Sequence, residues 1–218
     1  YFLFALAAGE AARVVIPGLR RGPLGAFHSL TAFALVCGGL VSAFSGLSES
    51  AVLAVQALVV AIAASRSRLL RWLRPLTAVC AGLAVVSFRP RGITTPFDFI
   101  AALTPGLLLL ASTLSWEAIW VRRPKRFATG FLGGLESVSG QFRAVVAAGL
   151  LFAVIEDYFS WGIPQNLAVS VLILALLFGM VVLRARAWFF AALAGSVAGL
   201  THLPNFSPRD PGHVLYLF

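Results

Sequence analysis

The constraint that governs this chain is the repeated return of long apolar runs. They fall at roughly 2–16, 25–45, 49–65, 72–88, 98–116, 143–159, 166–183 and 187–203, and short basic or Gly/Pro-containing breaks separate them. Apolar segments near 20 residues match the hydrocarbon thickness of a bilayer, whereas a water-soluble fold alternates its apolar residues with polar ones. Charged residues make up only 11% of the 218 positions and hydrophobic ones 60%. That is about half the charge of an ordinary soluble domain, too little polar surface to keep such a chain in water. The expected fold is all-α: a single polytopic transmembrane helix bundle of about eight spans. Several blocks are short, so flanking arginines and tryptophans are expected at headgroup level.

The charges sort by side. Breaks after odd-numbered blocks hold Arg20 and Arg21, then Arg66, Arg68, Arg71 and Arg74, then Arg122, Arg123, Lys125 and Arg126, and finally Arg184 and Arg186; Arg143 opens the block that follows the third group. The opposite breaks hold only Arg89, Arg91 and Arg209, and they collect Glu49, Asp98, Glu156, Asp157 and Asp210. Basic residues resist translocation. The arginine-rich breaks are therefore read as cytoplasmic, with both ends of the chain outside. The net charge of +9 is assigned to topology and to anionic lipid headgroups, and not to nucleic acid, because the bases lie between apolar blocks and do not spread over one face. "RSRLLRWLRP", from Arg66 to Pro75, is such a threading signal, with Trp72 at the interface. A bacterial cytoplasmic (inner) membrane is the expected location. The chain opens on Tyr1, and no basic region precedes the first block, so no cleavable signal peptide is read there.

Between the fifth and sixth blocks, Phe127, Phe131, Leu135, Val138 and Phe142 recur at helical spacing, while Glu136, Ser137, Ser139 and Gln141 point elsewhere. Following "RRPKR", residues 127–142 are expected to form a cytoplasmic interfacial helix, or, given four glycines, a packed re-entrant or flexible loop. A weak internal echo links the hairpins beginning "LAVQALVV" and "LAVSVLIL": each has an apolar block, an Arg-x-Arg turn, a tryptophan and a closing Ala-Gly-Leu.

Polar groups inside a bilayer are the natural functional candidates. Glu10 and Arg13 share a helical face in the first block. Thr104, Pro105 and Gly106 interrupt the fifth block, where proline is expected to kink or break the helix and unwound backbone can bind a substrate. Asp98, Glu156 and Asp157 on the outer face are the catalytic candidates, as paired carboxylates capable of general-base work. Gln56 is read as interhelical glue, as are the small-residue spacings Gly195/Gly199 and Gly38/Ser42/Gly46. Cys37 and Cys80 have no metal-ligand spacing and need not lie near each other, so no redox compartment is read from them. His28 and His202 fall on opposite sides, which disfavours bis-histidine haem. No cofactor and no metal is expected. Asn205-Phe206-Ser207 matches a glycosylation acceptor, with Pro208 against its use. No nucleotide, dinucleotide, zinc-protease or nucleophile-elbow motif occurs. The leading expectation is a non-catalytic membrane subunit or anchor of a larger membrane complex. Behind it come a transporter or channel for a small solute or lipid, and a membrane-embedded transferase acting on a lipid-linked substrate at the outer face.

Overall fold

Apolar periodicity and the breaks between the blocks produce helices throughout the computed structural model, which describes residues 23–66, 71–89, 93–122, 131–159, 163–183 and 185–200. In chain order these are α1 (Pro23–Ala43), α2 (Gly46–Arg66), a 3-10 turn (Arg71–Leu76), α3 (Thr77–Ser87), α4 (Pro96–Arg122), α5 (Phe131–Tyr158), α6 (Ile163–Val182) and α7 (Ala187–Leu200). No strand occurs among the described residues. Among the described residues, four segments are long and apolar enough to cross a membrane: Gly46–Ser65, Pro96–Leu114, Gly134–Tyr158 and Pro164–Val182. The chain therefore has the helices of an integral membrane protein. The first expected span, 2–16, lies outside the described residues.

Of the remaining expected spans, 25–45 forms the 21-residue α1, whereas 72–88 takes a shorter form for a reason visible in the sequence. The 72–88 block divides because Pro75 lacks a backbone N–H and clashes with the preceding turn, so regular α-helix starts only at Thr77. Helix α3 then runs for 11 residues, well short of a full crossing at about 1.5 Å per residue. The last block is helical as α7 from Ala187 to Leu200, and residues 201–203 lie outside the described residues.

The clearest departure from expectation is at 127–142. From Phe131 onward these residues are neither a separate interfacial helix nor a loop; they are the first turns of α5, which continues unbroken for 28 residues to Tyr158. The glycines that argue against a helix, Gly133, Gly134 and Gly140, are inside it. Likewise residues 117–122, which follow the fifth apolar block, extend α4.

Helix α5 is the centre of the arrangement. It packs on α4, α7 and α3, while α4 also packs on α2. The two hairpins of the internal echo appear as α2/α3 and α6/α7, a long helix followed by a short one in each case, and in each the short helix rests on α5. The core is built largely from alanine: Ala54, Ala57, Ala81, Ala144, Ala147 and Ala191 are all fully buried or nearly so. Small side chains let helix backbones approach closely, which matters where no hydrophobic effect drives helices together. In contrast, α1 packs chiefly on α2, and a Cβ on Gly38 or Gly39 would meet nothing within 4 Å outside its own helix backbone among the described residues.

Two glycines mark the tightest approaches. A Cβ on Gly106 of α4 would lie 2.7 Å from Leu151 Cγ and 3.1 Å from the carbonyl oxygen of Ala147, both on α5. A Cβ on Gly179 of α6 would land within the indole ring of Trp188 on α7. Gly46 serves the backbone instead, since its φ of 60° turns the chain from α1 into α2, a conformation that strains any residue with a Cβ.

Gly106→Ala is expected to destabilise the α4–α5 contact by about 1–3 kcal/mol, the usual range for overpacking. Thermal unfolding in detergent reads this as a lowered midpoint, and trimming Leu151 to alanine in the same chain should recover part of the loss. A Gly106→Ala chain as stable as the parent, or one not helped by Leu151→Ala, would contradict the packing described.

Candidate functional site

Polar side chains on α5 turn inward, and that places a cluster of charge inside the bundle. Glu136, Ser139 and Arg143 recur at spacings of three and four and so share one helical face. All three are buried, Arg143 to 2% exposure and Glu136 to 3%. The apolar stripe of the same segment faces away from the protein: Leu135 and Phe142 are exposed, and Val138 is 61% exposed. Water would favour the reverse arrangement. A bilayer favours this one, because hydrocarbon accepts leucine and valine and rejects unpaired polar groups.

The cluster draws on six elements, α2, the 3-10 turn, α3, α4, α5 and α7. Arg143 Nη1 donates to the Ser112 carbonyl at 3.1 Å and to Ser112 Oγ at 2.9 Å, while its Nε donates to the Ser139 carbonyl at 3.3 Å. Arg74, 5% exposed, extends Nη2 to the carbonyl of Ala64 at 2.9 Å, in the last turn of α2. A cation there satisfies a carbonyl that helix geometry leaves without a partner, and it meets the negative end of the helix dipole. Ser139 Oγ reaches the Pro75 carbonyl at 3.3 Å, tying α5 to the 3-10 turn. Thr77 Oγ1 donates to the Arg74 carbonyl, and Trp188 Nε1 donates to Thr113 Oγ1 at 2.8 Å, joining α7 to α4. The charge of Arg74 is close enough to repel that of Arg143. Glu136 lies on the same face of α5.

Chemically, this is a polar weld. Guanidinium donors meet backbone carbonyls, Arg74 at the end of α2 and Arg143 within α4 and α5; hydroxyls return to carbonyls one turn back (Ser112 to Leu109, Thr113 to Leu110, both at 2.6 Å), and an indole N–H joins α7 to α4. Arg74 and Arg143 entered the sequence reading only as threading charges; Ser112, Thr113 and Trp188 did not enter it as site residues. The signal for half of the cluster was legible, since Glu136 and Ser139 already stood off the apolar stripe. Its partners on α4 and α7 are set by tertiary packing alone.

At the opposite end of the bundle the Asp98 carboxylate caps a helix. Thr95, Pro96 and Asp98 open α4 with a reciprocal cap: the Asp98 N–H donates to Thr95 Oγ1 at 3.1 Å, and the Thr95 N–H and hydroxyl donate to Asp98 Oδ2 at 3.3 and 2.7 Å. Thr-x-x-Asp with proline at the first helical position is a sequence signature for a helix start. "TTPFDF" therefore carried this information in plain view. Asp157 Oδ2 accepts the Ile93 N–H at 3.3 Å, Glu49 accepts the Ser87 hydroxyl, and Glu156 is exposed. Phe99 rests on Tyr158 with ring centroids 4.5 Å apart, so the ends of α4 and α5 that carry Asp98 and Asp157 are neighbours. No group of three or more His, Cys, Asp or Glu side chains suited to a metal occurs among the described residues.

The stretch from Thr104 to Gly106 lies within uninterrupted helix α4 and is not a break. Thr104 is exposed, with its hydroxyl returned to the Ile100 carbonyl at 3.3 Å; Pro105 and Gly106 are buried, Gly106 against Leu151. Neighbouring helices and local adjustment accommodate proline in such settings. Gln56 on α2 contacts the thiol of Cys37 on α1, consistent with glue between helices. Gln165 and Asn166 are buried at the start of α6, which the sequence reading did not single out. Of the threading charges, Arg66 ends α2, Arg71 opens the 3-10 turn, Arg122 ends α4, and Arg89 and Arg186 lie in exposed connections. Glu10, Arg13, Arg20, Arg21, Arg68, Arg91, Arg123, Lys125, Arg126, Arg184, His202, Asn205, Arg209, Asp210 and His213 lie outside the described residues. His28 falls within α1.

Compared with protein-family models, with curated proteins and with solved structures, the chain matches none.

Arg143→Lys should cost about 1.5–3 kcal/mol, the range for hydrogen bonds to charged groups, because one ammonium cannot reach both Ser112 and the Ser139 carbonyl. Ser112→Ala should cost less, and the double variant should show coupling in a thermal-unfolding cycle. Additive effects would contradict the shared contact. Thr95→Ala should cost about 1 kcal/mol as a lost cap, and the same assay reads it.

Proposed function

We propose that the chain is a non-catalytic, multi-pass membrane subunit or anchor, held in a bacterial cytoplasmic membrane with its arginine-rich end toward the cytoplasm. The observation that carries this reading is how the polar groups are used. Arg74 and Arg143 bond to the chain's own carbonyls, and Asp98 is engaged in capping α4. The stretch best suited to a substrate pathway, Thr104 to Gly106, is helical, with Gly106 packed against Leu151. Internal charge in this protein thus supports helix-to-helix structure.

The partners in this reading are anionic lipid headgroups along the arginine-rich end and other membrane subunits along the flank. The surface offers an apolar flank for the latter. On α6, Val171, Leu174, Phe178 and Val181 are all more than half exposed, and on α1 a Cβ at Gly38 or Gly39 would face open space among the described residues. Small residues at such a face permit close approach by another helix. No nucleic acid takes part in this reading: the basic residues flank apolar helices.

Solubilisation from native membranes in a mild detergent, followed by intact-complex mass measurement, tests the proposal. A second membrane chain is expected at fixed stoichiometry, and it should remain when Glu156 and Asp157 are both alanine. Two results would overturn it: recovery of the chain alone, with solute flux when reconstituted in sealed vesicles, or transfer activity lost on changing those carboxylates.

A further inference from the structure

Cys37 on α1 and Cys80 on α3 are 43 residues apart in sequence, yet their sulfurs stand 3.9 Å from each other. Both are free thiols, and both are buried. The Gln56 amide on α2 borders the pair, with Nε2 3.4 Å from Cys37 Sγ. Alanines of the core, Ala54, Ala57 and Ala81 among them, belong to the same apolar cluster.

From this geometry we infer that Cys37 and Cys80 form a redox modification site, an intramolecular dithiol that closes to a disulfide and staples α1 to α3. Three considerations select this chemistry. First, the sulfurs are already in contact, and closing the bond requires only their further approach. Second, the product is neutral, as is the dithiol, so neither state places charge in the apolar interior. A soft monovalent ion between two thiolates would leave a net negative charge there. Zinc would want four donors, whereas two sulfurs and an amide are what the cluster supplies, with no third His, Cys, Asp or Glu among the described residues. Third, α1 packs chiefly on α2. A covalent link from α1 to α3 would therefore add a constraint that packing does not provide, and would fix how the open Gly38–Gly39 face is presented.

Burial within apolar helices also selects the oxidant. Charged, water-borne reagents have no favourable route to these sulfurs, whereas a lipid-soluble quinone partitions into the phase where they lie. The step balances: two S–H bonds break and one S–S bond forms, and the two electrons and two protons pass to the quinone oxygens, giving the hydroquinone.

The test uses the full reduced chain in phospholipid nanodiscs, treated either with a fully substituted short-chain benzoquinone or with ferricyanide. The chain is then denatured, alkylated with N-ethylmaleimide and mapped by mass spectrometry. After quinone treatment both cysteines are expected to escape alkylation together. The intact mass should fall by two hydrogens, a Cys37–Cys80 linked peptide pair should appear in a monomeric chain, and dithiothreitol should restore both thiols. Ferricyanide over the same interval should leave both alkylatable. Thiols that remain alkylatable after quinone, or cross-links found only between chains, would overturn the site. Equal oxidation by ferricyanide would overturn the lipid-phase route.

Discussion

A guanidinium held inside an apolar bundle is the interaction on which the rest of this structure turns. Removing such a charge from water costs several kcal/mol even after relaxation. The cost is tolerable only if the donors find oxygen, and Arg143 finds it on α4 and on its own helix, at Ser112 and Ser139. That requirement fixes the rotation of α5. Once Arg143 points inward, Glu136 and Ser139 must follow it, and Leu135, Val138 and Phe142 are left on the outer surface. The bundle is therefore inside-out by the standards of water and ordinary by those of lipid.

Around this centre the architecture is simple. Helix α5 carries the polar face, α4 supplies carbonyl and hydroxyl partners, and two long–short hairpins bring α3 and α7 against α5. The 3-10 turn before α3 delivers Arg74 to the end of α2, and the start of α7 delivers Trp188 to Thr113. Alanine-rich contacts and the Gly106–Leu151 approach hold the apolar half together. Polar bonds thus specify one end of the bundle, close packing specifies its middle, and helix caps formed by Thr95 and Asp98 order the other end.

Much of this was legible in the sequence, and the remainder was hidden for physical reasons. The apolar blocks marked α1, α2, α4 and α6 closely because length and composition decide such helices. The segregation of charge was legible too: Arg74 and Arg143 lie at one end, Glu49, Asp98 and Asp157 at the other. The stripe Leu135/Val138/Phe142 was recognised as one face, but its continuation into α5 was missed, because the glycines suggested a break that lateral packing overrides. Pro105 was over-read for a similar reason: neighbouring helices support a proline within α4. The contact between Cys37 and Cys80 depends on how α1 and α3 lie across α2. No spacing rule encodes that.

The inward turn of the polar face on α5 is the central claim, and spin-label accessibility in bilayers tests it most directly. Nitroxides placed singly at residues 134–143 report collision with oxygen, which concentrates in hydrocarbon, and with a polar nickel chelate, which stays in water. Oxygen accessibility is predicted to peak at 135, 138 and 142 and to fall at 136, 139 and 143, with the nickel reagent low throughout the inward face. Peaks at 136, 139 and 143, or strong nickel accessibility there, would contradict it.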